Sequence, residues 1–158
     1  MKTAATDSRV AGGAEPPGPL YCDASTLVKL YVPEADSGDL NRRVEGRRDL
    51  IVSDLSMTEI ASSLGRRRRE RSLTAAVAVR LHRTLLEHVE RGLYRRVELV
   101  PATHREAERL LLAVQAVALR AADALHLALA IAGDAASVMT FDRRLAEAAK
   151  SVGIATFP

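Results

Sequence analysis

Four acidic side chains could do chemistry together: Asp23, Glu59, Asp123 and Asp142. Carboxylates gathered at one place repel one another, and a fold keeps such a group mainly when a cation neutralises it. Magnesium suits an all-oxygen set, because it is hard and binds through one or two carboxylates plus waters and a substrate phosphate. Each acid also has a structural alternative. Asp23 and Asp142 both precede helix-spaced segments and fit the N-cap position. Ser56-Met57-Thr58-Glu59 has capping-box spacing, with Glu59 reaching back to a helix start. Asp123 is the hardest to explain structurally. It lies in Ala121-Ala122-Asp123-Ala124-Leu125-His126-Leu127-Ala128-Leu129-Ala130, a helix apolar on nearly every face and therefore buried. A buried charge needs a partner, and either Arg120 or a metal ion would serve. Ser25 and Thr140 lie close by in sequence. They fit equally well as donors to a neighbouring carboxylate, as holders of a metal-bound water, or as local capping hydroxyls.

Other metal chemistries fit poorly. The single cysteine, Cys22, excludes an internal disulfide framework and a cysteine zinc cage. His82, His88, His104 and His126 are scattered, and His126, three residues after Asp123, reads as packed or supporting rather than ligating. Net charge is +3 and the pI is near 9.4, which mildly favours a polyanionic partner. Only three basic residues are lysine and alanine is abundant, so a GC-rich genome explains the same bias. Aromatics are 3% of the chain, too few for a module built on base stacking. No apolar run reaches the ~20 residues of a membrane span, and no secretory signal is read, so a cytoplasmic protein without a membrane partner is expected.

The elements that must position these residues follow from patterning. Residues 1–18, with Gly12, Gly13, Pro16, Pro17 and Gly18, read as a disordered leader. One domain is expected over 19–158. Leu20-Tyr21-Cys22 reads as a buried strand ending at Asp23. Leu27, Leu30 and Tyr31 continue as a helix stopped by Pro33, and a second short helix covers Ser37 to Glu45. Leu50-Ile51-Val52 is a strand, followed by a helical stripe of Ser56, Met57, Ile60, Ala61 and Leu64. A longer helix repeats Leu73, Val77, Leu81, Leu85, Val89 and Leu93. Val97 to Val100 reads as a strand, and Thr103 to Leu119 and Ala121 to Ala132 as helices. Val138 to Phe141 is a strand, Asp142 to Ser151 a helix, and Ile154 to Phe157 a last strand. Alternating strands and helices predict a three-layer α/β/α architecture, with a mostly parallel central sheet flanked by helices. Ligands of such sheets bind beyond the carboxyl ends of the strands, where Asp23 and Asp142 fall.

The order of four segments resembles the PIN-domain ribonucleases, and more closely the VapC-type toxins of toxin–antitoxin pairs. They are Tyr21 to Tyr31, Val52-Ser53 through Thr58-Glu59-Ile60, Leu119 to Ala128, and Thr140-Phe141-Asp142-Arg143-Arg144-Leu145. The resemblance covers Leu20 to Pro158. It implies a PIN-like fold and a magnesium- or manganese-dependent site with Asp23, Glu59, Asp123 and Asp142 as its acids and Ser25 and Thr140 as supporting hydroxyls. It further implies endoribonuclease activity, a homodimer, and neutralisation by a cognate antitoxin protein. Arg66-Arg67-Arg68-Arg69 with Arg71 is the densest basic run. It reads either as phosphate contact or, slightly favoured, as a solvated helix end complementing the macrodipole. A non-catalytic PIN-fold module binding RNA or protein is the competing reading, and the presence of all four acids argues against it. A phospho-accepting receiver domain fits worse, because Asp23 stands alone after the first strand.

Overall fold

The central strands are short because each consists wholly of buried residues and gives way to a polar side chain that starts the next helix. The computed structural model describes residues 15–32 and 37–158. In it β1 (Leu20–Cys22), β2 (Leu50–Ser53), β3 (Tyr94–Val97), β4 (Ser137–Met139) and β5 (Ala155–Phe157) form one sheet in the order β3-β2-β1-β4-β5. Every pairing among them is parallel. The described helices are α1 (Ala24–Tyr31), α2 (Ser37–Val44), α3 (Asp54–Arg69), α4 (Ala75–Glu90), α5 (Pro101–Ala113), α6 (Ala121–Ala132) and α7 (Arg143–Ser151). This is the three-layer α/β/α fold expected, with a sheet parallel throughout.

Side chains of a strand alternate between the two faces of its sheet, and this divides the core in two. Leu20 and Cys22 of β1, Leu50 and Val52 of β2 and Met139 of β4 pack with Leu27, Met57, Ile60, Leu64 and Leu85 from α1, α3 and α4. Tyr21, Ile51 and Val138 point to the other face, against α5, α6 and α7 through Leu110, Leu127, Leu129 and Leu145. The Cys22 thiol is buried and pushed up to about 12, chiefly by that burial, so it is an inert packing group.

Three boundaries differ from the sequence reading. The strand expected at Val97 to Val100 lies three residues earlier, at Tyr94–Val97. Asp54, at the start of α3, accepts from the Leu99 amide at 2.9 Å and from Arg96 at 2.6 Å, which draws residues 98–100 off the sheet. The Leu99 amide, and after it Arg96, holds the Asp54 carboxyl below its usual range. The stability this link contributes is present at neutral pH and fades as pH falls through the lowered folded value. The helix expected to reach Leu119 ends at Ala113, where Val114 turns extended, because the chain must reverse to deliver Arg120 to the start of α6. The long stripe from Leu73 to Leu93 outruns its helix at both ends, since Thr74 caps α4 and Glu90 closes it.

Residues 1–14 of the expected leader lie outside the described residues. Residues 15–18 pack on the domain. The Pro16 carbonyl accepts from Arg47 at 2.8 Å, Arg47 also forms a two-pronged pair with Asp49, and Ser137 Oγ donates to the Pro17 carbonyl. No described helix is long and apolar enough to cross a membrane.

Candidate active site

In the strand order β3-β2-β1-β4-β5 the connections run to one side of β1 and then to the other. A crevice opens beyond the carboxyl ends of the strands at such a switch. The chain leaves β1 at Asp23 and β4 at Thr140, so the two neighbouring strand ends meet there.

Asp23 is 4% exposed and caps α1, its Oδ1 accepting from the Thr26 amide at 2.9 Å. Ser25 Oγ lies 2.8 Å from each carboxylate oxygen, and Thr140 Oγ1 donates to Oδ2 at 2.7 Å. Both hydroxyls are therefore donors to the acid. Each also binds the loop between β4 and α7: Thr140 Oγ1 accepts from the Asp142 amide at 3.0 Å, and Ser25 Oγ from the Phe141 amide at 2.8 Å. Asp142 caps α7 through Oδ1, which accepts from the Arg144 and Leu145 amides at 2.8 and 3.3 Å. Its Oδ2 makes no hydrogen bond among the described residues. The capping alternatives for Asp23 and Asp142 thus hold, but they occupy only part of each carboxylate.

Asp123 is 7% exposed, as the apolar helix requires. Its partner in the chain is the backbone of Arg120: Oδ2 accepts from that amide at 3.0 Å, whereas no ion pair with the guanidinium forms. Oδ1 is unbonded among the described residues. Asp123 and Asp142 line the same cavity of about 450 Å³, whose rim carries Arg120, Arg143 and Arg144.

Glu59 corrects the capping-box alternative. The cap of α3 is Ser53, whose Oγ accepts from the Ser56 amide at 3.1 Å, so Glu59 lies a turn too far along to reach the helix start. Its Oε2 instead meets His126 Nε2 at 2.8 Å. His126 is 5% exposed, and its Nδ1 lies 2.8 Å from the Tyr21 hydroxyl. That hydroxyl touches Ser53 Oγ at 2.7 Å and Ser56 Oγ at 3.3 Å. Burial, with smaller contributions from Asp23 and Glu59, pushes Tyr21 above its ordinary value, so it keeps its proton. With a neutral imidazole every partner is satisfied: Tyr21 donates to Nδ1, and Nε2–H donates to Glu59. Sequence reasoning missed Tyr21, Ser53 and Ser56. The available signal was a phenol inside an otherwise apolar buried strand, which must find a polar partner.

The donor set can be tested against a divalent cation. Among the described residues no three His, Cys, Asp or Glu side chains form a ready-made metal cage. Magnesium does not need one, since waters and substrate phosphate complete its shell. Asp123 and Asp142 line one cavity, and each has a carboxylate oxygen without a hydrogen bond among the described residues. The three donors on Asp23 take about three of its four lone-pair directions. The acids are oxygen-only and flanked by hydroxyls, so the residues fit a hard cation.

A parallel sheet with this order, carrying acids on three segments at its switch point, defines a class. Residues 20–151 match the PIN domain, and the chain belongs to the PIN-domain family. It is 33% identical to Ribonuclease VapC49 of Mycobacterium tuberculosis (strain ATCC 25618 / H37Rv) and to Ribonuclease VapC45 of strain CDC 1551 / Oshkosh. Each match runs over 141 residues and covers 88% of this chain and 94% of the relative. Among solved structures, PAE2754 from Pyrobaculum aerophilum matches with a TM-score of 0.63 at 21% identity, covering 87% of this chain and 82% of that one. Mycobacterium tuberculosis VapC20, described as a sarcin-ricin loop cleaving toxin, matches with a TM-score of 0.63 at 17% identity, covering 82% and 94%. At those identities the solved structures speak to the fold.

Proposed function

We propose that this chain is a magnesium-dependent endoribonuclease, with manganese able to substitute, acting in the cytoplasm as the toxin of a toxin–antitoxin pair. Its cleavage of RNA would inhibit translation and growth. The observation that supports the reading is a chain of contacts: Thr140 joins Asp23 to the loop that carries Asp142, and Asp142 lines one cavity with Asp123. The identity with VapC ribonucleases supports the substrate class.

Asp23, Asp123 and Asp142 are the residues to hold the cation. When bound, such a cation supplies Lewis-acid activation of a water and offsets charge at the phosphate. The chain's own groups orient the rest. Ser25 and Thr140 fix the Asp23 carboxylate from two sides. Glu59, held through Oε2 by His126, keeps Oε1 to accept from a water. Activity with magnesium, none with a chelator, and products carrying 5′-phosphate and 3′-hydroxyl ends are expected. Cyclic phosphate ends would overturn the water mechanism, and unchanged cleavage in chelator would overturn the metal.

His126 acts through Glu59 and Tyr21, so His126→Ala should lower kcat by about 10- to 100-fold, the usual cost of losing a group that orients a ligand. His126→Asn, which offers a donor from a shorter side chain, should recover part of that loss. A kcat for His126→Ala within twofold of the parent protein would dismiss the positioning role.

An antitoxin segment would dock on the α4 side of the domain. A cavity of about 700 Å³ lies between α1, α2 and α4, with Leu30, Tyr31, Val44, Leu81, Leu93 and Tyr94 in its wall. Such an apolar groove suits an amphipathic helix. A basic side chain from the same partner could reach the acids and compete with the cation. The homodimer reading would use α5, where Leu112 is 83% exposed and Leu111 38%.

A further inference from the structure

The chain contains five aromatic side chains: Tyr21, Tyr31, Tyr94, Phe141 and Phe157. The three tyrosines are buried and Phe157 packs against a core cluster. Phe141 alone stands open, at 37% exposure. It occupies the position between Thr140, which donates to Asp23, and Asp142, which lines the acidic cavity. We propose that Phe141 is a stacking platform for a nucleobase of single-stranded RNA beside the phosphate to be cut. The proposal rests on the ribonuclease reading above and names the residue that seats the substrate.

Three observations support it. The residue's backbone is anchored to Asp23: the Phe141 amide donates to Ser25 Oγ, which in turn donates to Asp23. Two hydrogen bonds therefore tie the Phe141 backbone, from which the ring projects, to the Asp23 carboxylate. One cation lies over the ring and two more line the cavity beside it. Lys29 Nζ lies 4.7 Å from its centroid, and Lys29, Arg66 and Arg67 line a cavity of about 320 Å³ together with Ser25 and Phe141. A base on the ring would carry its phosphates among these groups, and the first two members of the arginine run thereby gain a substrate-facing place.

Within the chain the ring meets the Lys29 ammonium over one face, and other structural uses are poorly served. Phe141 precedes the cap of α7, where an apolar residue commonly staples to the fourth helical position. That position is Ala146, which offers little to grip, and Phe141 joins neither core cluster. A stacked base is worth about tenfold to a hundredfold in affinity by substitution, whatever the base. One well-placed ring can thus matter in a protein otherwise poor in exposed aromatics.

The test uses the full chain and short single-stranded RNAs carrying 2-aminopurine at successive positions, with chelator present to prevent cleavage. Binding should quench the fluorophore at one position. Phe141→Leu should abolish the quench and, with magnesium restored, raise KM by about tenfold to a hundredfold with a smaller change in kcat. Phe141→Tyr should restore both. Matching thermal midpoints for the two variants would confirm intact folds, as an exposed ring allows. If the parent cuts RNA and Phe141→Leu binds, quenches and cuts like it, the platform is refuted and the ribonuclease reading stands. If Phe141→Leu cuts normally but loses the antitoxin, the ring belongs to a protein interface, which also refutes the platform. If the parent neither binds nor cuts any of the RNAs with magnesium, the ribonuclease reading falls and takes the platform with it.

Discussion

Asp123→Asn should reduce RNA cleavage by on the order of 10³-fold while leaving the protein folded. The substitution is nearly isosteric. The one hydrogen bond that Asp123 makes among the described residues, from the Arg120 amide to Oδ2, can be kept by the asparagine carbonyl, and asparagine serves well at a helix start. Losing a negative charge from the first turn of α6 costs about 0.3–1 kcal/mol against the helix dipole. That is a fall in thermal midpoint of about 1–4 °C for a chain of this size. What the variant loses is an anionic oxygen on the cavity shared with Asp142. A second measurement separates ligation from catalysis. Manganese should raise the thermal midpoint of the parent by mass action and leave that of Asp123→Asn nearly unmoved. Cleavage within tenfold of the parent, or an undiminished manganese shift, would remove Asp123 from the site.

The largest stability effect is expected at Leu127→Ala. Leu127 is fully buried on α6, in the core formed with Tyr21, Ile51, Val138 and Leu145. Truncating such a leucine costs about 2–5 kcal/mol, because the transfer free energy is lost and the neighbours close the space only in part. At about 2–4 °C per kcal/mol, the midpoint should drop on the order of 10 °C. The same helix carries Asp123 and His126, so activity should fall at temperatures well below the new midpoint as the site loosens. A drop under about 2 °C by calorimetry would mean that this face of the sheet is not packed as described.

The layers and the burial of Asp123 were legible in the sequence because both are local signals. Short apolar runs that end in Asp or Ser mark parallel strands feeding helices, and an aspartate in Ala121 to Ala130 announces itself by contrast with its neighbours. Non-local hydrogen bonds left weaker traces. The strand at Tyr94–Val97 was misplaced because Asp54, more than forty residues earlier, claims the Leu99 amide. Glu59 looked like half of a capping box because spacing cannot tell which serine caps. Ser53 does so, and Glu59 turns to a histidine 67 residues away. Tyr21 was absorbed into an apolar strand, although its hydroxyl connects β1, the start of α3 and α6.

The strand order also bears on synthesis. β1 is made first, yet the partner that flanks it at the acidic edge, β4, is made among the last strands. The bond that closes the site, from Thr140 to Asp23, joins residues 117 apart. Contacts so distant in sequence form late, because a long loop must close before they are rewarded. A chain still growing on the ribosome therefore holds Asp23 and Glu59 without Asp142 or its loop. The proposed site is unassembled until nearly the whole domain has emerged, and the ribosome making it works beside a nuclease that is not yet built.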